Sequence, residues 1–174
     1  MVTKARAPKK APKRPSDPPP KVAIDIPAPD AKPEVWQAFW KQYGVEPVEA
    51  YLAGGRSVID GRNWRIYLEE RLPIIAIDPF RDSKQDSLFE FVTQDIEFVR
   101  RARLIIACYF GGYASHGMAA EMGLACERST PIFYVDESEQ PDMFLVGMAK
   151  RFFPSVEALT QWWARRVASG IQVV

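Results

Sequence analysis

Two acidic residues lie in segments that otherwise favour burial. Asp95 falls on the apolar stripe of a predicted helix over residues 86–102, four residues from both Phe91 and Val99. Glu121 lies about one turn into a second predicted helix, among small and apolar residues. Burying a charge without a partner is costly, so such carboxylates usually accept hydrogen bonds or take part in catalysis. Two carboxylates near one crevice can act as nucleophile and proton donor at a glycosidic carbon. A purely structural role, with the acid bound to backbone amides, is the alternative.

A glycine pair after a predicted strand suits the binding of an anion. Gly54 and Gly55 allow backbone amides to approach a bound group, and the predicted helix that follows adds a positive end. The sequence matches neither a Walker loop nor the three-glycine dinucleotide fingerprint, and a simple tight turn explains the pair equally well. Arg56 in this loop is a candidate phosphate ligand, as are Arg62 and Arg65, although an exposed arginine is the usual alternative.

Two further loops carry candidate binding residues. Asp78 ends a predicted strand before a proline, where it either faces the crevice or forms a turn. Ser115 is a plausible N-cap of the helix that contains Glu121, and Gly117 leaves room for a ligand. His116 is the only histidine, and we interpret it as a rim residue because neither a second metal ligand nor a Gly-x-Ser-x-Gly elbow accompanies it. We therefore expect no metal site.

Strands and helices alternate from residue 48 onward, which predicts a parallel sheet covered by helices on both faces. Ligands bind such sheets beyond the carboxyl ends of the strands. We predict a single α/β domain with about five mostly parallel strands. The predicted strands cover 48–53, 74–77, 104–109, 131–135 and a short piece near 152–153, and the predicted helices cover 61–72, 86–102, 116–128 and 155–168.

The first 33 of the 174 residues differ in composition from the rest. They hold 9 of the 15 prolines and a net charge of +5, so that residues 34–174 carry a net charge of −4. We predict a disordered basic Pro-rich tail over 1–33 and a folded domain over 34–174, which begins with an aromatic-rich helix ended by Gly44. The tail can attract nucleic acid or an acidic partner, but it has no aromatic residue to stack on bases, and a solubilising tail is the alternative.

The two cysteines, Cys108 and Cys126, lie in apolar runs. This excludes a disulfide framework and a four-cysteine zinc site, and it fits a reducing cytoplasm. No apolar segment follows the basic start, and no run approaches 18 apolar residues, so we expect neither secretion nor a membrane span. The predicted location is cytoplasmic.

Several segments together resemble the nucleoside 2-deoxyribosyltransferase superfamily, which includes deoxynucleoside 5′-monophosphate N-glycosidases. The likeness covers roughly residues 48–168. Its most specific part is an Asp-containing helix, an apolar strand and a Gly-x-x-x-Glu-x-Gly order. The segments are Tyr51-Leu52-Ala53-Gly54-Gly55, Asn63-Trp64-Arg65, Asp78-Pro79, the run from Asp95 to Ile106, and the run from Gly117 to Ala125.

The resemblance implies a role for each matching residue. Glu121 matches the nucleophilic glutamate, Asp95 the aspartate that assists proton transfer and sugar positioning, and Tyr51 a tyrosine near the nucleophile. Ser115 matches a serine that contacts the 5′-phosphate in the monophosphate-cleaving branch. The resemblance also implies a Rossmann-like fold, assembly as a homodimer or larger, and no metal or organic cofactor. The chain departs from the family at Tyr113-Ala114-Ser115-His116, where an acidic approach to the glutamate is usual, and at Arg103, where an aspartate is common.

We therefore predict cleavage of the N-glycosidic bond of a deoxynucleoside or its 5′-monophosphate, with hydrolysis or transfer of the deoxyribosyl group. The alternative from another class is a non-catalytic nucleotide-binding protein whose tail docks on nucleic acid or an acidic partner. A third possibility is another N-glycoside, such as a nicotinamide nucleotide, cleaved by the same carboxylates.

Overall fold

The computed structural model describes residues 25–55, 58–59, 62–84, 86–111 and 116–174. The strands in these ranges are β1 (Val48–Gly54), β2 (Val58–Ile59), β3 (Arg62–Asn63), β4 (Ile74–Ile77), β5 (Leu104–Tyr109), β6 (Ile132–Asp136) and β7 (Arg151–Phe153). The helices are α1 (Pro33–Gln42), α2 (Trp64–Arg71), α3 (Pro79–Asp82), α4 (Leu88–Arg101), α5 (His116–Glu127), α6 (Met143–Met148) and α7 (Val156–Ala168).

Five strands form one parallel sheet in the order β4-β1-β5-β6-β7. The chain first adds β4 to one edge of β1 and then adds β5, β6 and β7 to the other. The direction of winding thus reverses between β1 and β5, where parallel α/β sheets leave a crevice beyond the carboxyl ends of the strands. The predicted α/β class and five-stranded sheet are confirmed, with all five strands parallel.

Three short elements differ from the sequence prediction. The hairpin of β2 and β3 has two residues in each strand, too few to show a period of two. The four-residue helix α3 is capped by Asp78, which accepts a hydrogen bond from the Phe80 amide at 3.0 Å. The helix α6 is capped by Asp142 in the same way. The two helices begin at capping side chains and are too short to show an apolar period, which explains why the pattern missed them.

The two faces of the sheet pack against different helices. On one face, which we call the aromatic face, α1, α2 and α7 cover a core that includes Trp36, Trp64 and Trp163. On the other, which we call the carboxylate face, α4, α5 and α6 cover a second core. Strand β1 contributes to both, because successive side chains point to opposite sides: Leu52 belongs to the aromatic face and Tyr51 to the carboxylate face.

Part of the segment predicted as a tail lies against the domain. The carbonyl of Pro27 accepts a hydrogen bond from Gln161 at 2.7 Å, and the carbonyl of Pro29 accepts one from the Tyr67 hydroxyl at 3.1 Å. Ile26 packs beside the aromatic-face core. The ordered chain therefore extends at least to residue 25, ahead of the boundary at 33, whereas residues 1–24 of the predicted tail lie outside the described residues.

Within the part of the chain that the structure describes, no helix is long and apolar enough to cross a membrane.

Candidate active site

The centre of the candidate site is a hydrogen bond between β1 and α5. The Tyr51 hydroxyl donates to Glu121 Oε1 at 2.7 Å. Tyr51 is fully buried in the middle of β1, and Glu121 lies in the second turn of α5, the helix that follows β5. These strands are the two between which the winding of the sheet reverses. The structure thus brings together two of the three residues predicted as catalytic, at the crevice that the topology creates.

Asp95 is the third residue predicted as catalytic, and its carboxylate is buried on α4. It lies on the buried stripe of this helix together with Val99, as the spacing predicted. The Ser83 hydroxyl donates to Asp95 Oδ1 at 2.6 Å. Asp95 is close enough to Glu121 for its charge to raise the pKa of the glutamate. The site therefore holds two carboxyl groups, each with one hydroxyl donor.

Burial dominates the electrostatics of both acids. Loss of water raises the pKa of Glu121 to about 7, and the Asp95 charge adds to this, whereas the Tyr51 hydrogen bond and the positive charge of Arg65 oppose it. Burial also raises the pKa of Asp95, against the Ser83 hydrogen bond. Burial and the adjacent Glu121 raise the pKa of Tyr51, which therefore stays protonated and can donate to Glu121. Two interacting carboxyl groups with raised pKa values are typical of sites that carry out acid–base chemistry.

The glycine turn after β1 is required by the packing of the backbone. Gly54 has a φ of +134°, and a side chain there would overlap the carbonyl oxygen of Cys108 on β5. Its own carbonyl oxygen accepts a hydrogen bond from Arg65 Nη2 at 2.6 Å, and the carbonyl of Gly55 accepts one from Arg65 Nη1 at 2.9 Å. These carbonyls therefore face a buried cation rather than solvent.

Asp78 supports this same arginine. Its Oδ1 lies 3.1 Å from Arg65 Nε, as an ion pair whose N–H direction falls outside hydrogen-bond geometry. The same oxygen caps α3 by accepting from Phe80. Asp78 is thus held by contacts within the protein, at the end of the strand where it was predicted either to face the crevice or to form a turn.

His116 and Gly117 are the first two described residues of α5, and both are exposed. His116 lines a cavity of about 520 Å³ together with Tyr109, Tyr134 and Phe144. Tyr51, Asp95 and Glu121 are not among the residues that line this cavity. A side chain at Gly117 would meet no other part of the described structure, so packing within the described residues does not require glycine there. Arg56 and Ser115 lie outside the described residues.

Sequence reasoning missed two residues of this site. Ser83, the donor to Asp95, lies in a polar stretch that gives no signal of burial. Arg65 was named only as a possible phosphate ligand, yet it is 2% exposed and binds the protein's own backbone. Its position next to Trp64, shortly after the glycine pair, was the available signal. Among the described residues, no group of three or more His, Cys, Asp or Glu could hold a metal ion.

Solved structures with the same architecture include enzymes. A 2-deoxyribosyltransferase from Bacillus psychrosaccharolyticus superposes with a TM-score of 0.52 at 15% identity, over 60% of this chain and 85% of that one. A 2-deoxyribosyltransferase from Leishmania mexicana gives 0.50 at 18% identity, over 68% and 98%. The chain has the fold of a 2-deoxyribosyltransferase. A conserved protein from Enterococcus faecalis V583 shares this fold, with a TM-score of 0.55 at 16% identity over 72% and 99%. No protein-family model matches the chain, and no curated protein matches it either.

Proposed function

We propose that the protein cleaves the N-glycosidic bond of a 2′-deoxynucleoside or its 5′-monophosphate through a covalent intermediate on Glu121. The observation that carries this proposal is the 2.7 Å hydrogen bond from Tyr51 to Glu121, at the crevice where the winding of the sheet reverses. A nucleophilic carboxylate must be held in one orientation, and a buried hydroxyl donor does this. The shared fold with 2-deoxyribosyltransferases supports the same reaction class.

The two carboxyl groups divide the steps of the reaction. The ionised Glu121 attacks the anomeric carbon, the bond from that carbon to the base nitrogen breaks, and its electron pair leaves with the base. Asp95, whose pKa burial raises, donates the proton that neutralises the departing base. Water or a second base then attacks the anomeric carbon, the bond from that carbon to Glu121 breaks with release of the carboxylate, and the proton of the acceptor passes to Asp95. Hydrolysis and transfer differ only in this last acceptor.

The decisive experiment is a substrate panel followed by chromatography. The protein is incubated with the deoxynucleosides and their 5′-monophosphates, each with and without an acceptor base, and with a nicotinamide nucleotide as the other N-glycoside. We expect free base from at least one deoxyribosyl substrate, and an exchanged base if transfer occurs. Ligand binding without release of base across the whole panel would favour the non-catalytic alternative and end the proposal.

We propose that a second copy of the chain covers an exposed apolar stripe on α4. Leu88 and Phe89 are 79% and 80% exposed, and Val92 and Ile96 continue the stripe along the helix. Asp95 lies on this same helix, so a dimer formed here would border the candidate site, as the family resemblance implies. Light scattering of the wild type should give the mass of a dimer or larger assembly, and Phe89→Asp should lower it. A monomeric wild type would contradict this proposal.

Contact of the basic tail with nucleic acid stays a prediction. It is checked by the salt dependence of DNA binding with and without residues 1–24, a deletion that spares the segment packed on the domain.

A further inference from the structure

Among the residues that the structure describes, two arginines are buried, and both bind backbone carbonyls. Arg65 is 2% exposed and Arg71 is 3% exposed. Burying a cation is costly unless most of its donors find acceptors and an opposite charge lies nearby. The partners of the two arginines lie in different places, and this difference points to the role of Arg65.

The Arg65 guanidinium binds carbonyls at the end of β1 and in the turn that follows it. Its Nη2 donates to the carbonyls of Leu52 at 3.3 Å and Gly54 at 2.6 Å, and its Nη1 donates to Gly55 at 2.9 Å. Asp78 supplies the opposite charge. A planar guanidinium holds its donors apart at fixed angles, whereas the ammonium of a lysine offers rotatable donors from a single nitrogen.

Two aromatic rings restrict the position of this guanidinium. Its central carbon lies 4.2 Å from the centroid of the Trp64 ring and 4.8 Å from that of Phe80. Trp64 also donates from its indole nitrogen to the Gly55 carbonyl at 3.2 Å. Trp64 and Arg65 of α2 thus both bind the turn, and the two rings hold the guanidinium in position.

The residue before the first of these carbonyls is Tyr51, the donor to Glu121. We propose that Arg65 is a positioning residue of the candidate site: by binding the carbonyls of Leu52, Gly54 and Gly55, it fixes the end of β1 and thereby holds Tyr51 against Glu121. Only the kinetic test of this inference rests on the proposed function. The contacts between Arg65 and the three carbonyls do not depend on it.

Arg71 provides a matched control. It is equally buried, donates from Nε to the Pro29 carbonyl at 3.1 Å, and lies over the Tyr67 ring at 4.1 Å. Its carbonyl partners belong to the segment before α1, to its own helix and to no part of the turn. Replacing either arginine by methionine removes a buried cation of the same type, so both variants are expected to lose stability. Only the Arg65 variant should change the site.

The experiment compares Arg65→Met, Arg65→Lys and Arg71→Met in the full chain. Hydrogen exchange over residues 48–55 should accelerate in both Arg65 variants and stay at the wild-type rate in Arg71→Met. The kcat for base release should fall by about 10²-fold in Arg65→Met with little change in KM, as expected for a misplaced nucleophile. Arg71→Met should keep the wild-type kcat for each folded molecule.

The lysine variant separates position from charge. Tyr51, Asp95 and Arg65 are the groups that act on the titration of Glu121. If Arg65 acted through its charge alone, Arg65→Lys would restore both kcat and the acidic limb of the pH profile, and the proposal would be overturned. We expect kcat of Arg65→Lys to stay well below that of the wild type and its acidic limb to lie at higher pH, because the charge is kept while Tyr51 is no longer held against Glu121.

A second readout keeps the two proposals distinguishable. The ionisation of Glu121 is followed by infrared difference spectra against Glu121→Gln, which needs no substrate. If the wild type releases no base, the proposed function fails. Faster exchange over residues 48–55 together with a raised pKa of Glu121 in Arg65→Met would still support the positioning role of Arg65. Unchanged exchange and an unchanged pKa in that variant would overturn the inference whatever the activity.

Discussion

The aromatic face and the carboxylate face of the sheet bury different kinds of side chain. On the aromatic face, Phe133 packs edge to face against Trp162 and Trp163, with ring centroids 5.4 and 5.8 Å apart. On the carboxylate face, α5 carries Glu121 among the buried residues Met118, Met122 and Ala125, and α4 carries the buried Asp95. Aromatic pairs of this geometry stabilise a fold beyond the effect of the apolar area they bury, whereas buried carboxylates oppose folding.

The difference indicates that the sheet divides stability and chemistry between its two sides. A domain with one well-packed face can tolerate partly destabilising groups on the other, because stability is a small sum over the whole domain. Substitutions of apolar side chains on the aromatic face should therefore change stability without changing the reaction, whereas substitutions of the acids should change the reaction.

The largest effect is expected from Glu121→Gln. Turnover should fall by several orders of magnitude, because the amide cannot form the covalent intermediate. Burial raises the pKa of Glu121 to about 7, so the folded protein holds this proton more tightly than the unfolded chain does. Stability from this group is therefore present at low pH and lost as pH rises towards 7. The variant should be more stable than the wild type at pH 8, by up to about 3 kcal/mol at 1.4 kcal/mol per pKa unit.

Base release and thermal melting are measured on the same samples, at pH 5 and pH 8. Glu127→Gln, at the end of the same helix, serves as the control. Near-native turnover in Glu121→Gln would contradict the covalent mechanism.

The next largest effect is expected from Asp95→Asn. The amide keeps the shape of the side chain but cannot donate the acid's proton, and general acid catalysis contributes about 10²–10⁴-fold. The loss should be greatest for substrates whose base leaves poorly and smallest for an activated leaving group. Initial rates with a poor and a good leaving group check this. An equal loss for both would assign Asp95 to structure, with Ser83 as its partner.

Leu68→Ala tests the aromatic face. Leu68 is fully buried on α2, and the cavity left by its truncation should lower the free energy of unfolding by about 2–5 kcal/mol. Turnover for each folded molecule should stay within about twofold of the wild type, since a 10-fold change requires 1.4 kcal/mol at the reaction barrier. Urea unfolding and rates corrected for the folded fraction check both statements. A large kinetic defect would show that the two faces are coupled.

The strands and long helices were predictable because their signal is local. β5 reads as an uninterrupted apolar run, and α4 shows Asp95 and Val99 on one stripe. The hydrogen bond between Tyr51 and Glu121 joins residues 70 positions apart, and it depends on the order of β1 and β5 in the sheet. No spacing rule gives that distance. Tyr51 was named from the family resemblance and not from its own surroundings.

Arg65 shows a different limit of the sequence. An arginine on a short helix is usually exposed, so its type predicts a solvent-facing side chain or a ligand contact. Its burial results from carbonyls at the end of β1 and from Asp78 after β4, which become its partners only once the sheet has formed. The sequence therefore identified the acids, which stand out among apolar neighbours, better than the cation that supports them.

The smallest effect is expected from Tyr51→Phe, and it tests the hydrogen bond on which the proposed function depends. Removing the hydroxyl takes away a donor that lowers the pKa of Glu121, so burial and Asp95 should then raise this pKa above about 7. The ionised nucleophile becomes scarcer at low pH. The acidic limb of the kcat/KM profile should move to higher pH, and at pH 6 the rate should fall by about tenfold, as expected for one hydrogen bond to a charged group.

Tyr134→Phe is the matched control for this change. Tyr134 is also fully buried on the carboxylate face, and its hydroxyl donates to Asp136 Oδ2 at 2.6 Å. Both variants lose one buried hydroxyl bound to a carboxylate, so a comparable loss of stability in the two cancels from the comparison. Only Tyr51→Phe should shift the acidic limb. Loss of this donor should raise the pKa of Glu121. If the limb stays in place in Tyr51→Phe, the group whose ionisation starts the reaction is therefore not Glu121.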